Sequence, residues 1–259
     1  MSKPTIVKIG GSAITDKSKK FSIRWRELGI ICDDLSTYIR RHGPIVLIHG
    51  GGSFGHPIVH ECLKTKGYID RECFTWTTYA MRTLNNLIML ELISRGVNVV
   101  SINPHTICRK NNSEFTCYLA LIREFLELGM TPLLHGDVVI SSGSGFEVIS
   151  GDYLAWLLAK ELNVKTLVFI TDVEGIYDSD PKVNPKAKLI RSMKGNELLR
   201  ISLRTSGQID VTGGMYLKLT MGLRMGLKNV KVIVLSAKTR GNLFNALVGQ
   251  DFIGTIVWY

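Results

Sequence analysis

An uninterrupted apolar run, Ile45-Val46-Leu47-Ile48, stops in His49-Gly50-Gly51-Gly52. That junction limits the possible folds more than any other stretch of the chain. Four apolar residues with no polar alternation predict a strand covered on both faces, as in a parallel sheet. The glycines that follow predict a tight turn whose backbone N–H groups can approach an anion, and the helix expected next adds partial positive charge at its N-terminus. The run continues as Ser53-Phe54-Gly55-His56-Pro57, so a histidine stands where it can donate a hydrogen bond to the same anion. Two related turns occur, Lys8-Ile9-Gly10-Gly11-Ser12 near the start and Asp210-Val211-Thr212-Gly213-Gly214-Met215 near the end. Three anion cradles point to a reaction with phosphate on both partners.

Strand patterns are also predicted at Thr5–Ile9, Val97–Ile102, Pro132–Leu134, Val138–Ile140, Thr166–Thr171, Val230–Leu235 and Thr255–Tyr259. Helical patterns are predicted at Arg24–Arg41, Thr75–Arg95, Cys117–Leu128, Asp152–Leu162 and Met215–Gly226. This alternation predicts an α/β fold, a three-layer αβα sandwich around a mostly parallel central sheet. A length of 259 residues suits one domain with ample core, and a division falls near residue 165. Asp172 and Gly175 stand at the carboxyl end of a predicted strand, where ligands collect in open α/β sheets. The turn-rich stretch Tyr177–Pro185 is expected to be a surface loop.

The net charge of +10 attracts anions. The basic residues are spread along the chain without an aromatic-interleaved stripe, which favours polyphosphate substrates over nucleic acid. No apolar run approaches the ~20 residues that span a bilayer, so no membrane partner is expected. The opening Met1-Ser2-Lys3-Pro4-Thr5 enters a strand pattern at once, which predicts no leader segment and a cytoplasmic protein. Cys32, Cys62, Cys73, Cys108 and Cys117 are scattered and form no CxxC pair. Buried thiols are expected, rather than a zinc site or a disulfide framework.

Lys8-x-Gly10-Gly11-Ser12, His49-Gly50-Gly51-Gly52, Ser150-Gly151-Asp152, Thr171-Asp172-Val173-x-Gly175 and Asp210–Met215 with Lys218 together resemble the amino acid kinase superfamily. The resemblance runs from Lys8 to Gly254-Thr255. Within that superfamily, Gly11-Ser12-x-x-Thr15-Asp16-Lys17, Ser53-Phe54-Gly55-His56-Pro57 and Asp210-Val211-Thr212-Gly213-Gly214-Met215 are similar to isopentenyl phosphate kinases. The resemblance implies the amino acid kinase fold over residues 1–259, with an acceptor-binding lobe over about 1–165 and a nucleotide-binding lobe over about 166–259. It implies transfer of a phosphoryl group from ATP, with Mg2+, to isopentenyl phosphate, in the archaeal-type mevalonate route to isoprenoids. A homodimer is implied as well.

The same resemblance assigns roles. Lys8 and Lys218 neutralise the transferred group, Lys17 grips it, and Asp152 holds the two lysines in place. His56 binds the acceptor phosphate, helped by backbone N–H groups at Gly51, Gly55 and Gly151. The nucleotide meets Lys8, Gly10, Gly11, Ser12, Gly52, Asp172, Gly175, Gly213 and Lys218.

Residue chemistry supports these roles independently. Phosphoryl transfer depends on positioning and charge neutralisation more than on covalent help. Lys8 stands inside an apolar strand pattern, a poor place for a solvated surface charge. Asp152 could equally cap the helix that begins there. A phosphate monoester has its second pKa near 6, so no base is needed to deprotonate it. No protein cage for Mg2+ is evident, which leaves the metal to the ATP phosphates and water.

The predicted helix Thr75–Arg95, through Trp76, Tyr79, Ala80, Met81 and Leu84, is expected to wall an apolar pocket with Val139 and Ile149. Asn85-Asn86 faces solvent or the pocket mouth. The competing readings are a phosphonate (fosfomycin-type) kinase of the same fold and a non-catalytic binding protein. The presence of Lys8, Lys218 and Asp152 disfavours the latter.

Overall fold

The computed structural model describes residues 3–143, 145–179, 184–198 and 213–259, with side chains in the last stretch from 218 onward. The first half of the chain runs β1 (Thr5–Ile9), α1 (Gly11–Ile14), α2 (Trp25–His42), β2 (Val46–His49), α3 (Gly52–Lys66), α4 (Arg71–Ile93), β3 (Val99–Ser101), α5 (Pro104–Ile107), β4 (Cys108–Asn111) and β5 (Glu114–Cys117). It continues with α6 (Ala120–Glu127), β6 (Thr131–His135), β7 (Asp137–Ser141), β8 (Gly145–Ile149), α7 (Gly151–Glu161), β9 (Thr166–Thr171), β10 (Ser192–Lys194), α8 (Gly213–Arg224), β11 (Lys231–Ser236), α9 (Asn242–Val248) and β12 (Gly254–Trp258).

Eight strands form the central sheet in the order β10-β12-β11-β9-β1-β2-β6-β3. Its neighbours are parallel except for the antiparallel pair β11–β12. Alternation along β1 sends Ile6 to one face and Val7 and Ile9 to the other. Leu154, Trp156 and Leu158 of α7 cover the first face with Ile122 of α6 and Leu219 of α8. Leu28 and Leu35 of α2, Leu84 and Ile88 of α4 and Leu243 of α9 cover the second. The expected three-layer sandwich is therefore present, with β1 central in its sheet.

Several boundaries differ from the sequence expectation for local reasons. Helix α4 starts at Arg71 rather than Thr75, because the Asp70 carboxylate accepts from the Cys73 N–H (2.9 Å) and caps it. A second sheet, β5-β4-β7-β8, contains three strands that were not anticipated. β4 and β5 are short, polar and partly exposed, and Glu147 interrupts the apolar residues of β8, so none of the three carries an apolar run to mark it. Cys117 closes β5 and does not begin a helix. Within the expected loop Tyr177–Pro185, residues 180–183 lie outside the described residues.

The cysteine expectation is corrected. Cys62–Cys73 and Cys108–Cys117 are disulfides, and Cys32 is the one free, buried thiol. Helix α3 folding back on α4, and the β4–β5 hairpin, bring these partners together. Neither pairing follows a short-range cysteine motif. No described helix is long and apolar enough to cross a membrane.

Candidate active site

Lys8 shares the Ile6 face of β1 and meets α7 at the carboxyl end of the sheet. It is 4% exposed. Its Nζ lies 2.5 Å from Asp152 Oδ1, and Lys218 Nζ lies 3.4 Å from Asp152 Oδ2. The Ser150 hydroxyl accepts from the Tyr153 N–H (3.0 Å) and caps α7, which leaves the Asp152 carboxylate for the two lysines. Burial pulls the Lys8 ammonium below the usual lysine range; Asp152 opposes this, while Lys218 and Lys17 add to it. Burial pushes the Asp152 carboxyl up, but Lys8 and Lys218 outweigh it and hold the group below its ordinary value.

Lys218 owes its place to α8, which is anchored from below. The buried Trp156 indole N–H donates to the Lys218 carbonyl (2.7 Å), and the Tyr259 hydroxyl donates to the Leu219 carbonyl (2.6 Å). Trp156 packs between Phe169 and Tyr259.

Three glycine turns converge above this ion pair because their backbones touch. A Cβ on Gly11 would come 2.6 Å from Gly52 Cα, and one on Gly151 would come 2.9 Å from the His49 carbonyl oxygen. Only glycine permits such approach. The fully buried His49 supports the central turn. Its Nδ1–H donates to the Gly50 carbonyl (3.1 Å), and the Asn85 amide donates to its Nε2 (3.2 Å). Burial, His135 and Lys8 lower the His49 pKa well below its ordinary value, so the ring is neutral. Asn85 thus lies beneath the turn, while Asn86 is exposed.

The turns enclose a cavity of about 130 Å³. One wall is polar: Lys8, Lys17, Lys218, Asp152 and His56, with Gly10, Gly11, Ser12, Gly51, Gly55 and Gly151. The other wall is formed largely by Val59, Thr77, Met81, Val138, Val148 and Ile149. A larger groove of about 660 Å³ lies at the opposite end of the strands, near Lys3, Tyr38, His42 and Arg123, and includes none of the motif residues among the described ones.

The sequence profile of the Amino acid kinase family matches residues 3–236. The chain belongs to the amino acid kinase family. It is 32% identical to the isopentenyl phosphate kinase of Methanocaldococcus jannaschii over 95% of each chain. Identity to the isopentenyl phosphate kinase of Methanothermobacter thermautotrophicus is 33%, over 96% of this chain and 97% of that one. A solved isopentenyl phosphate kinase superposes with a TM-score of 0.81 at 29% identity, covering 98% of this chain and 99% of the other.

In this amino acid kinase, three of the expected nucleotide residues, Gly52, Asp172 and Gly175, lie off the cavity wall. Gly52 backs onto Gly11. Asp172 reaches the first turn by accepting from the Ser12 hydroxyl (3.1 Å), and its carbonyl accepts from Lys238 Nζ (3.0 Å). Gly175 packs against Thr255 and Leu189. Gly213 is the first residue of α8, and Asp210, Val211 and Thr212 lie outside the described residues.

The expected apolar wall needs correction. Trp76 and Tyr79 are 55% and 60% exposed, while Ala80 and Leu84 pack into the sheet core and Val139 into the core of the opposite face. Met81 and Ile149 do line the cavity as expected, and α4 adds Thr77 beside Met81. Thr77, Met81 and Asn85 stand at i, i+4 and i+8, a spacing that marks one helix face. That polar-to-sulfur stripe was the available signal. Val59, Val138 and Val148 had none.

His56 has its pKa lowered by burial first, then by Lys17, Lys8 and Lys218. Three lysines that disfavour a proton on His56 therefore outweigh Asp152 in one small cavity. Such a cavity favours a multiply charged anion.

Proposed function

We propose that this amino acid kinase transfers the terminal phosphoryl group of ATP to isopentenyl phosphate, giving isopentenyl diphosphate and ADP. The relatives named isopentenyl phosphate kinase support the reading. The observation that carries it is the two-sided cavity, cationic toward Lys8, Lys17 and Lys218 beside His56 and largely apolar toward Val59, Met81, Val138 and Ile149. A phosphate ester with a short hydrocarbon tail matches both walls. At about 0.8 kcal/mol per buried CH2, a five-carbon tail provides several kcal/mol of preference over a wholly polar acceptor.

His56 and the N–H groups of Gly51 and Gly151 hold the acceptor phosphate, while Gly55, whose N–H donates to the Gly51 carbonyl (3.1 Å), lines the cavity beside them. Gly10, Gly11, Ser12, Gly52, Asp172, Gly175 and Gly213 hold the nucleotide; residues 1–165 form the acceptor-binding lobe and lend its first two glycine turns to ATP, and residues 166–259 form the nucleotide-binding lobe. An acceptor phosphate oxygen attacks the γ-phosphorus as the bond to the ADP oxygen breaks. The oxygen is already anionic, so no side chain need remove a proton. The obstacle is repulsion between two anions. Lys8, Lys17 and Lys218 reduce it by offering preorganised positive charge that strengthens as charge shifts in the transition state. Asp152 keeps two of these ammonium groups aimed at one point.

Asp152, the acidic group at the centre, is occupied by the lysines, so a Mg2+ ion would be held by the ATP phosphates and water and would supply charge neutralisation there. We further propose that the enzyme works in the cytoplasm, in the archaeal-type mevalonate route, without nucleic-acid or membrane partners. It does so as a homodimer joined through the exposed Trp76, Tyr79, Leu90 and Ile93 face of α4.

The test is a coupled ADP-release assay with isopentenyl phosphate, dimethylallyl phosphate, fosfomycin, acetylglutamate and UMP as acceptors. Turnover is expected with isopentenyl phosphate. Turnover confined to acetylglutamate or UMP overturns the reading, and preference for fosfomycin replaces it with a phosphonate kinase.

A further inference from the structure

Ser53, Phe54 and Pro57 share a run with His56 but line no part of the cavity. All three act instead on the loop that carries Lys17. The Ser53 N–H donates to Thr15 Oγ1 (2.9 Å); its hydroxyl donates to the Ser22 carbonyl (3.0 Å) and accepts from the Ser22 N–H (3.1 Å). The rings of Phe54 and Phe21 meet edge to face, with centroids 5.3 Å apart. The Phe21 N–H donates to the Ser53 carbonyl (3.1 Å).

That last bond exists because of a missing one. In an α-helix the carbonyl of residue 53 would accept from the N–H of residue 57. Residue 57 is Pro57, which stands inside α3 and has no N–H. The Ser53 carbonyl is thereby left for the Phe21 N–H. The loop is braced internally as well. The Asp16 N–H donates to the Ser22 carbonyl (3.0 Å), Thr15 and Ile23 form an antiparallel bridge, and Phe21 adopts a left-handed φ of 54°. Lys17 is exposed near the tip of this loop, so its ammonium takes its position from the loop backbone.

We propose that Ser53, Phe54 and Pro57 are positioning residues that clasp the Lys17 loop to the helix bearing His56. The clasp keeps the cation that meets the transferred phosphate at a fixed separation from the imidazole that meets the acceptor. The inference rests on the role given to Lys17 above.

A double-variant cycle with Lys17→Ala and Pro57→Ala tests it, reading kcat, both KM values and Tm. Alanine restores an N–H to the Ser53 carbonyl, which competes with Phe21, so Tm should stay level or rise. Because displacing a positioned group by about 1 Å can cost up to ~10²-fold, kcat of Pro57→Ala should fall about tenfold with the ATP KM little changed. The double variant should be no slower than Lys17→Ala alone. Full kcat in Pro57→Ala, or an equal further loss on the Lys17→Ala background, overturns the proposal. If Pro57→Ala does not fold, Ser53→Ala enters the same cycle with the same criteria. Normal turnover by Lys17→Ala removes the role of Lys17 and the clasp with it. A slow Lys17→Ala beside fully active clasp variants removes the clasp alone.

Discussion

Replacing Asp152 by asparagine keeps the shape of the side chain and removes the charge that two lysines share. At separations of 2.5 and 3.4 Å, and an effective dielectric of about 20, the gross attractions are roughly 7 and 5 kcal/mol. Lys8–Lys218 repulsion and desolvation take back much of this, and Lys218 is partly exposed. Severing a buried pair costs about 3–5 kcal/mol net. For a chain of this size, that lowers Tm by about 10 °C.

The pH dependence has a definite sign. Lys8 already titrates below its ordinary value, and losing Asp152 pushes it lower. Between the folded and unfolded pKa values of Lys8 the unfolded chain binds more protons, so stability of the variant rises with pH across that window. Its deficit against the parent should therefore shrink toward alkaline pH. The parent's Asp152 contribution, from a pKa held low, is present above the unfolded value and is lost as pH falls through the folded value. The variant should lack that acid limb. With the lysines no longer aimed, kcat should fall about 10²–10³-fold. Thermal melts across pH and the ADP-release assay measure both effects. A variant that melts with the parent at neutral pH, or turns over normally, would refute the argument.

His56→Gln should raise the acceptor KM and leave the ATP KM unchanged. In the parent, the His56 pKa is lowered in the free site and rises when a phosphate dianion binds, so binding takes up a proton. Acceptor affinity then weakens as pH climbs through the bound-state value, and the glutamine variant should lose that alkaline limb. A limb that survives in KM-versus-pH profiles would show that another group titrates. Removing the Cys62–Cys73 disulfide with two serines should lower stability by about 3 kcal/mol through the freed loop entropy, with kcat largely retained. A thiol titration of the denatured, unreduced protein should find Cys32 alone; five reactive thiols would contradict the pairing.

β1 and β9 have the boundaries expected from sequence, Thr5–Ile9 and Thr166–Thr171. Continuous apolar runs buried on both faces leave little room for another reading. The α4 face behaved differently. Its helical character was readable, but periodicity states only that faces exist, and Trp76 and Met81 are equally plausible wall residues until the neighbours of α4 are known. Asp152 was ambiguous for a similar reason, since a cap and an ion-pair partner occupy the same place in a first helical turn.

Local chemistry therefore decided, from the residues alone, where strands break into glycine turns and which cations and histidine stand beside them. Sterics between near neighbours in the chain are sufficient for that. The tertiary structure alone decided that Asp152 meets both Lys8 and Lys218, that Thr77 and not Trp76 faces the cavity, and that four cysteines pair. Those contacts depend on strand order and on how helices pack across the sheet, and no window of sequence contains that information.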